Sequence, residues 1–230
     1  MLSQLDLNYL ELYKKKYVLG CPICGGRDSY CNCWRKYNNE IKKISAGIPV
    51  KYRNYTMKDF THPQLKQQKE FVESIISDFD NLRLSGRVLY FYGSSGTAKT
   101  MSAILVSCEG IRRGYKVHYY ESLQAISTLL KQAWSSDEPA SVANDITLSD
   151  LIVVDNLGSE NISNENIKSE IYNLFKQRSY NCLPTIFIAP VSIKDLKLQL
   201  DKNIVELFDC NQITSVQFKG FDYRKEVLEK

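Results

Sequence analysis

Lys99 and Thr100 close the turn Gly93-Ser94-Ser95-Gly96-Thr97-Ala98, which follows the apolar run VLYFY and precedes the apolar run MSAIL. That order of residue types suits the binding of phosphate. Gly93 and Gly96 allow the backbone to turn sharply and aim N–H groups inward. Lys99 can neutralise β- and γ-phosphate charge, and Thr100 can ligate Mg²⁺ at the positive end of the following helix. The strict pattern G-x-x-x-x-G-K-[ST] is not met, because Ala98 stands at its second glycine. An alanine there is sterically mild provided its φ is negative. The competing reading is a Ser/Gly surface turn that happens to precede a lysine.

A second element lies 55 residues beyond Thr100, where LIVV runs into Asp155. An acid at the end of a buried strand is a Walker B arrangement, which sets a carboxylate beside the Mg²⁺ held by Thr100. Any buried strand can also end in a turn-capping Asp, so the assignment depends on the phosphate turn. The next residue is Asn156, where a glutamate would activate an attacking water. An amide cannot take a proton, so hydrolysis of the bound nucleotide is expected to be slow or absent.

Four of the seven cysteines fall within thirteen residues as Cys21-x2-Cys24-x6-Cys31-x-Cys33. Tetrahedral Zn²⁺ takes four such thiolates, and Gly25-Gly26 supplies the freedom for main-chain N–H groups to bend back toward sulfur. Disulfides are the alternative, and an odd cysteine total in a cytosolic chain argues against them. Cys108, Cys182 and Cys210 sit in apolar neighbourhoods and read as core residues.

These residues need a scaffold, and 230 residues suffice for one α/β unit with a full core plus a small appendage. Hydrophobic content of 43% and charged content of 24% are those of a globular chain. No apolar run approaches the roughly 18 residues that span a bilayer, and the first residues lack a secretory pattern. The expected location is the cytoplasm, the host's if the source is viral. Residues 1–60 hold 11 Lys/Arg against 5 Asp/Glu, whereas residues 61–230 hold 19 against 21. The basic end, with Lys14, Lys15 and Lys16 between Tyr13 and Tyr17, could meet nucleic acid or an acidic protein, or simply be a solvated face.

Behind the cysteines, Trp34, Tyr37, Ile41 and Ile44 form one helix face packed on the metal loop. Gly47 and Pro49 interrupt that helix in AGIPVKYRNYTMKDF, which reads as a link. A helix then starts near Thr61 and Pro63 and runs through Leu65, Phe71, Ile75 and Phe79. Residues 1–60 are therefore expected to be a basic zinc-knuckle domain with its linker, and residues 61–230 the nucleotide-binding domain. Past the phosphate turn come a helix closed by Gly114, the strand KVHYY, a helix opened by Ser122, and a polar irregular stretch over WSSDEPASVANDITLS. The strand LIVVD, the helix ENIKSEIYNLFKQRS, the strand PTIFIAP, short helices over SIKDLKLQL and NIVELFD, and the strand TSVQF complete the chain. Such alternation specifies a parallel sheet between helices, with ligands at the carboxyl ends of its strands.

In CPICGGRDSYCNC, AGIPVKYRNYTMKDF, GSSGTAKTMSAILVSCEGIRRGYKVHYYES, LSDLIVVDNLGSE, QRSYNCLPTIFIA and the terminal GFDYR, residues 18–224 resemble the DnaC/IstB-type AAA+ ATPases. These are replicative helicase loaders and transposition ATPases. The resemblance implies an AAA+ P-loop core without a C-terminal lid domain, and an ATP-bound homo-oligomer that grips a ring helicase and single-stranded DNA. Lys99, Thr100 and Asp155 match the family's ATP and Mg²⁺ positions. Arg224 matches its terminal arginine, which would approach phosphate as a sensor; otherwise it is a solvated tail residue. Three departures bear on catalysis: Asn156, Pro190 where a sensor Asn is usual, and no arginine in KNIVELFD to reach a neighbour's ATP. Lys202 and Arg178 are the cations available in its place. An arginine finger contributes ~10³ to 10⁵ in rate, so weak turnover follows. A transposition-type target selector, or a scaffold or inhibitor of a replication protein gated by nucleotide, would use the same residues.

Overall fold

The computed structural model describes residues 4–60, 62–134, 139–158, 165–198, 213–220 and 222. Among the described residues, the α-helices α1 (Gln4–Tyr13), α2 (Asn32–Ser45), α3 (Lys66–Ser77) and α4 (Phe79–Ser85) precede the first strand. Strand β1 (Val88–Tyr92) leads into α5 (Lys99–Arg113), and β2 (Val117–Tyr120) into α6 (Leu123–Trp134) and α7 (Pro139–Thr147). Then come β3 (Leu151–Val154), α8 (Glu165–Tyr180), β4 (Thr185–Ala189), α9 (Ile193–Leu196) and β5 (Ile213–Gln217). All strand pairs are parallel, in the spatial order β2-β3-β4-β1-β5. β3 and β4 are buried along their whole lengths, which is why they read as unbroken apolar runs.

Alternation along the strands divides the core in two. Leu89, Phe91, Tyr119, Val153, Ile186 and Ile188 pack with the residues of α3 and α5 on one face. Tyr90, Tyr120, Ile152, Val154 and Phe187 pack with those of α6 and α8 on the other. Each fully buried side chain of this kind contributes about 1.5–3 kcal/mol. The connecting segment between α2 and α3 joins the first cluster through Ala46, Ile48 and Phe60, so residues on both sides of position 60 share one core. Ala46 also meets the sheet directly: its carbonyl accepts the Tyr119 main-chain N–H of β2 at 2.7 Å.

Several expectations need correction. The stretch read as irregular contains α7, which buries Ile146 and packs Val142 and Ala143 against the second cluster. The single helix expected from Pro63 onward is broken at Asp78, whose φ of −111° and ψ of 37° separate α3 from α4. Cys182, read as core, is exposed. The helix NIVELFD, Cys210, Lys202 and Arg224 lie outside the described residues. Among the described residues no helix is long and apolar enough to cross a membrane.

Candidate functional site

The phosphate turn joins the carboxyl end of β1 to the first residue of α5, so the helix begins at Lys99 itself. Gly93 and Gly96 have φ of 139° and 77°. A Cβ at Gly93 would collide with the Phe218 backbone carbonyl, and one at Gly96 with the carboxyl group of Asp222. That acid therefore lies against the turn. Lys99 Nζ donates to the carbonyls of Gly93 and Ser94, both at 2.6 Å, and Thr97 Oγ1 to Ser94 at 2.8 Å. Ala98 departs from the negative φ expected of it: at 69° it is left-handed, the conformation that makes glycine usual there.

Asp155 follows β3 and is buried, and each of its oxygens is engaged. Oδ2 accepts from Thr100 Oγ1 and from Tyr119 Oη, both at 2.8 Å; Oδ1 accepts from the Asn156 main-chain N–H at 2.7 Å. Burial and the facing carboxylate push the Tyr119 hydroxyl far above its ordinary range, so it stays a proton donor. Octahedral magnesium sets adjacent oxygen ligands roughly 3 Å apart. The separation of Thr100 and Asp155 fits such an edge. Asn156 occupies a left-handed φ of 49°, and its amide donates to the Glu121 carbonyl at 3.1 Å. It offers no group that can accept a proton.

The cysteine loop lies between the six-residue turn Lys14–Leu19 that extends α1 and the start of α2. Its four sulfurs lie within 4.8 Å of one another, with Cys21 and Cys31 Sγ at 3.9 Å and Cys24 and Cys33 Sγ at 3.4 Å. Thiolates on tetrahedral zinc at about 2.3 Å are roughly 3.8 Å apart, so the donor set fits that ion. Main-chain N–H groups of Cys24 and Ile23 lower the Cys21 thiol. Burial raises Cys24, but N–H groups of Asp28 and Gly26 and the Cys33 thiol outweigh it and bring Cys24 to about 7. Trp34 Nε1 donates to the Gly26 carbonyl at 3.1 Å, which fixes α2 against the loop as its periodicity predicts. Around it, Lys14 lies over the Trp34 ring and Lys16 over Tyr17.

The structure brings Lys99, Thr100 and Asp155 together, and groups Cys21, Cys24, Cys31 and Cys33 separately. It removes Arg178 from consideration as a catalytic cation. That residue is 1% exposed, and its guanidinium donates to the carbonyls of Ile146, Thr147, Ser149 and Pro184 and to Thr185 Oγ1. Its sequence signal was its place on the apolar stripe Ile167, Ile171, Leu174, Phe175 of α8. Two residues at the site escaped sequence reasoning. Asp222 lay within the terminal GFDYR, where only Arg224 was singled out, and Tyr119 carried only the strand alternation that puts it on the face of the sheet opposite His118 and Tyr120.

A parallel sheet in this order, with a phosphate turn after β1 and an acid after β3, one strand removed across β4, defines an AAA+ P-loop-type domain. The IstB-like ATP binding protein family matches residues 43–199, and the chain belongs to that family. Solved structures agree in fold. The DnaC helicase loader is 20% identical, with 73% of this chain and 99% of that chain covered and a TM-score of 0.60. DnaI is 16% identical over 76% and 93%, with a TM-score of 0.58. The replication initiator DnaA bound to AMPPCP and single-stranded DNA is 19% identical over 79% and 56%, with a TM-score of 0.60. The chain spans about half of that protein, and 53% of a matched DNA replication initiation factor. No curated protein matches in sequence.

Proposed function

We propose that this protein binds ATP with Mg²⁺ and acts as a helicase-loader-like component, gripping a replicative helicase, single-stranded DNA or both in support of replication initiation. The observation that carries the reading is the 2.8 Å contact of Thr100 with Asp155 beside the phosphate turn. In this reading the backbone of Gly93, Ser94, Ser95, Gly96, Thr97 and Ala98 cradles phosphate, Lys99 neutralises it, and Thr100 and Asp155 hold the metal. Bound Mg²⁺ would supply charge neutralisation at the phosphates. Arg224 would serve as sensor. Zn²⁺ on Cys21, Cys24, Cys31 and Cys33 would shape the basic N-terminal adaptor for protein contact. ATP acts mainly by fixing the geometry between copies of an oligomer, in the cytoplasm, with little turnover.

Calorimetry of the full chain with ATP and Mg²⁺ tests the first step. Heat of binding in the wild type and its loss in Asp155→Ala are expected, and no heat in the wild type overturns the reading. Stimulation of ATP hydrolysis by helicase or single-stranded DNA is the second expected result.

Asn156 favours one other reading, a scaffold that binds nucleotide without turning it over, because its amide is committed to the Glu121 carbonyl. If the missing carboxylate is what limits turnover, Asn156→Glu raises the hydrolysis rate. An unchanged rate eliminates that account of position 156.

A further inference from the structure

Thr100 is one of two hydroxyl donors to Asp155 Oδ2, and the phosphate turn explains it; the other, Tyr119, has no part in that motif. We propose that Tyr119 is the positioning residue of the magnesium site: its hydroxyl holds the Asp155 carboxylate toward Thr100, and its main chain ties that carboxylate to the end of α2. The inference rests on reading Lys99, Thr100 and Asp155 as an ATP–Mg²⁺ site.

Asp155 turns about two side-chain torsions and sits at a strand end, so its direction must be fixed by its partners. The Asn156 N–H fixes Oδ1. For Oδ2, the Tyr119 hydroxyl is carried by a rigid ring that is 6% exposed and packed in the core. The base of that ring is held as firmly. Tyr119 pairs with Val153 in the sheet, and its N–H donates to the Ala46 carbonyl at 2.7 Å. Gly47 lies so close that a Cβ there would be 2.7 Å from the Tyr119 carbonyl oxygen. Ligands held by such a second layer keep their productive direction without further ordering when the metal arrives. One residue thus touches both the candidate metal ligand and the cap of the helix that covers the cysteine loop.

The test is calorimetry of ATP binding to the full chain, once with Mg²⁺ and once with EDTA. In Tyr119→Phe, which keeps the ring, Mg²⁺-ATP should bind about tenfold more weakly, the usual worth of a hydrogen bond to a charged group. Metal-free ATP should bind within about twofold of wild type, because that hydroxyl is bonded to the candidate metal ligand Asp155. Equal loss with and without metal indicates a merely structural role and overturns the proposal, as does unchanged Mg²⁺-ATP binding. Gly47→Ala keeps the hydroxyl and displaces its backbone, so it should show the same metal-selective loss at about threefold. Wild-type strength in that variant overturns the tie to α2. Absence of Mg²⁺-ATP binding in the wild type overturns the site reading itself, whereas normal wild-type binding with an unaffected Tyr119→Phe overturns the role of Tyr119 alone.

Discussion

Ala98 holds a left-handed backbone at φ 69°, one residue before α5 starts. For an L-residue with a Cβ this costs roughly 1–2 kcal/mol, partly offset against glycine by glycine's larger entropy loss on folding. Ala98→Gly should therefore stabilise the fold by about 0.5–1 kcal/mol. A urea titration would show it as a higher midpoint at unchanged slope. Asp222 makes a prediction of opposite character. Its carboxyl group lies against Gly96, where a phosphate would meet a like charge. Asp222→Asn should tighten ATP binding roughly fivefold at low salt, with the gain shrinking as ionic strength rises, measured by calorimetric titration. The meeting of Thr100 with Asp155 was legible because a phosphate turn and an acid at a strand end constrain residue type and spacing together. The approach of Asp222 was not, because it depends on a segment more than a hundred residues away.

At the scale of elements, α7 shows what a local reading misses. PASVANDIT is poor in helix formers, and Asn144, Asp145 and Thr147 favour turns. It is helical because Ile146 is buried against the second cluster and because Arg178 takes up the carbonyls of Ile146, Thr147 and Ser149 at its end. Tertiary packing overrides propensity there. β3 and β4 were readable for the converse reason: buried on both faces, they are continuous apolar runs. β2 yields a pH prediction. His118 stacks on Tyr120, and burial first, then Lys116 and Arg178, lower its pKa against an opposing pull from Asp145. Between that lowered value and the ordinary one near 6.5 the unfolded chain binds more protons than the folded one. Its contribution to stability is complete above about 6.5 and is lost as the pH falls toward the folded value. His118→Gln should flatten that part of the stability curve, as followed by chemical denaturation from pH 7.5 to 5.5.

For the whole molecule, polar contacts tie the N-terminal helices to each other and to the segment that follows them. Asp6 of α1 pairs with Arg53 at 2.9 Å, Tyr9 donates to the buried Glu40 of α2, and Glu40 receives Lys43 at 2.7 Å. If the four thiols hold zinc, Cys21→Ser should lower the metal content of the purified chain from about one ion to none. Chelation of the wild type should likewise reduce its helical circular dichroism. Elemental analysis and spectroscopy check the two outcomes. Retention of one zinc per chain by the serine variant would rule out Cys21 as a ligand.

The bond from Tyr119 to Ala46 also bears on how copies of the chain can associate. A sheet margin normally offers unpaired N–H and C=O groups on which a foreign strand can template. Here the chain's own backbone spends the donor of Tyr119, and Gly47 crowds its carbonyl. Extension of the sheet from one molecule into the next is obstructed along β2, which leaves side-chain surfaces as the means of meeting a neighbour on that flank.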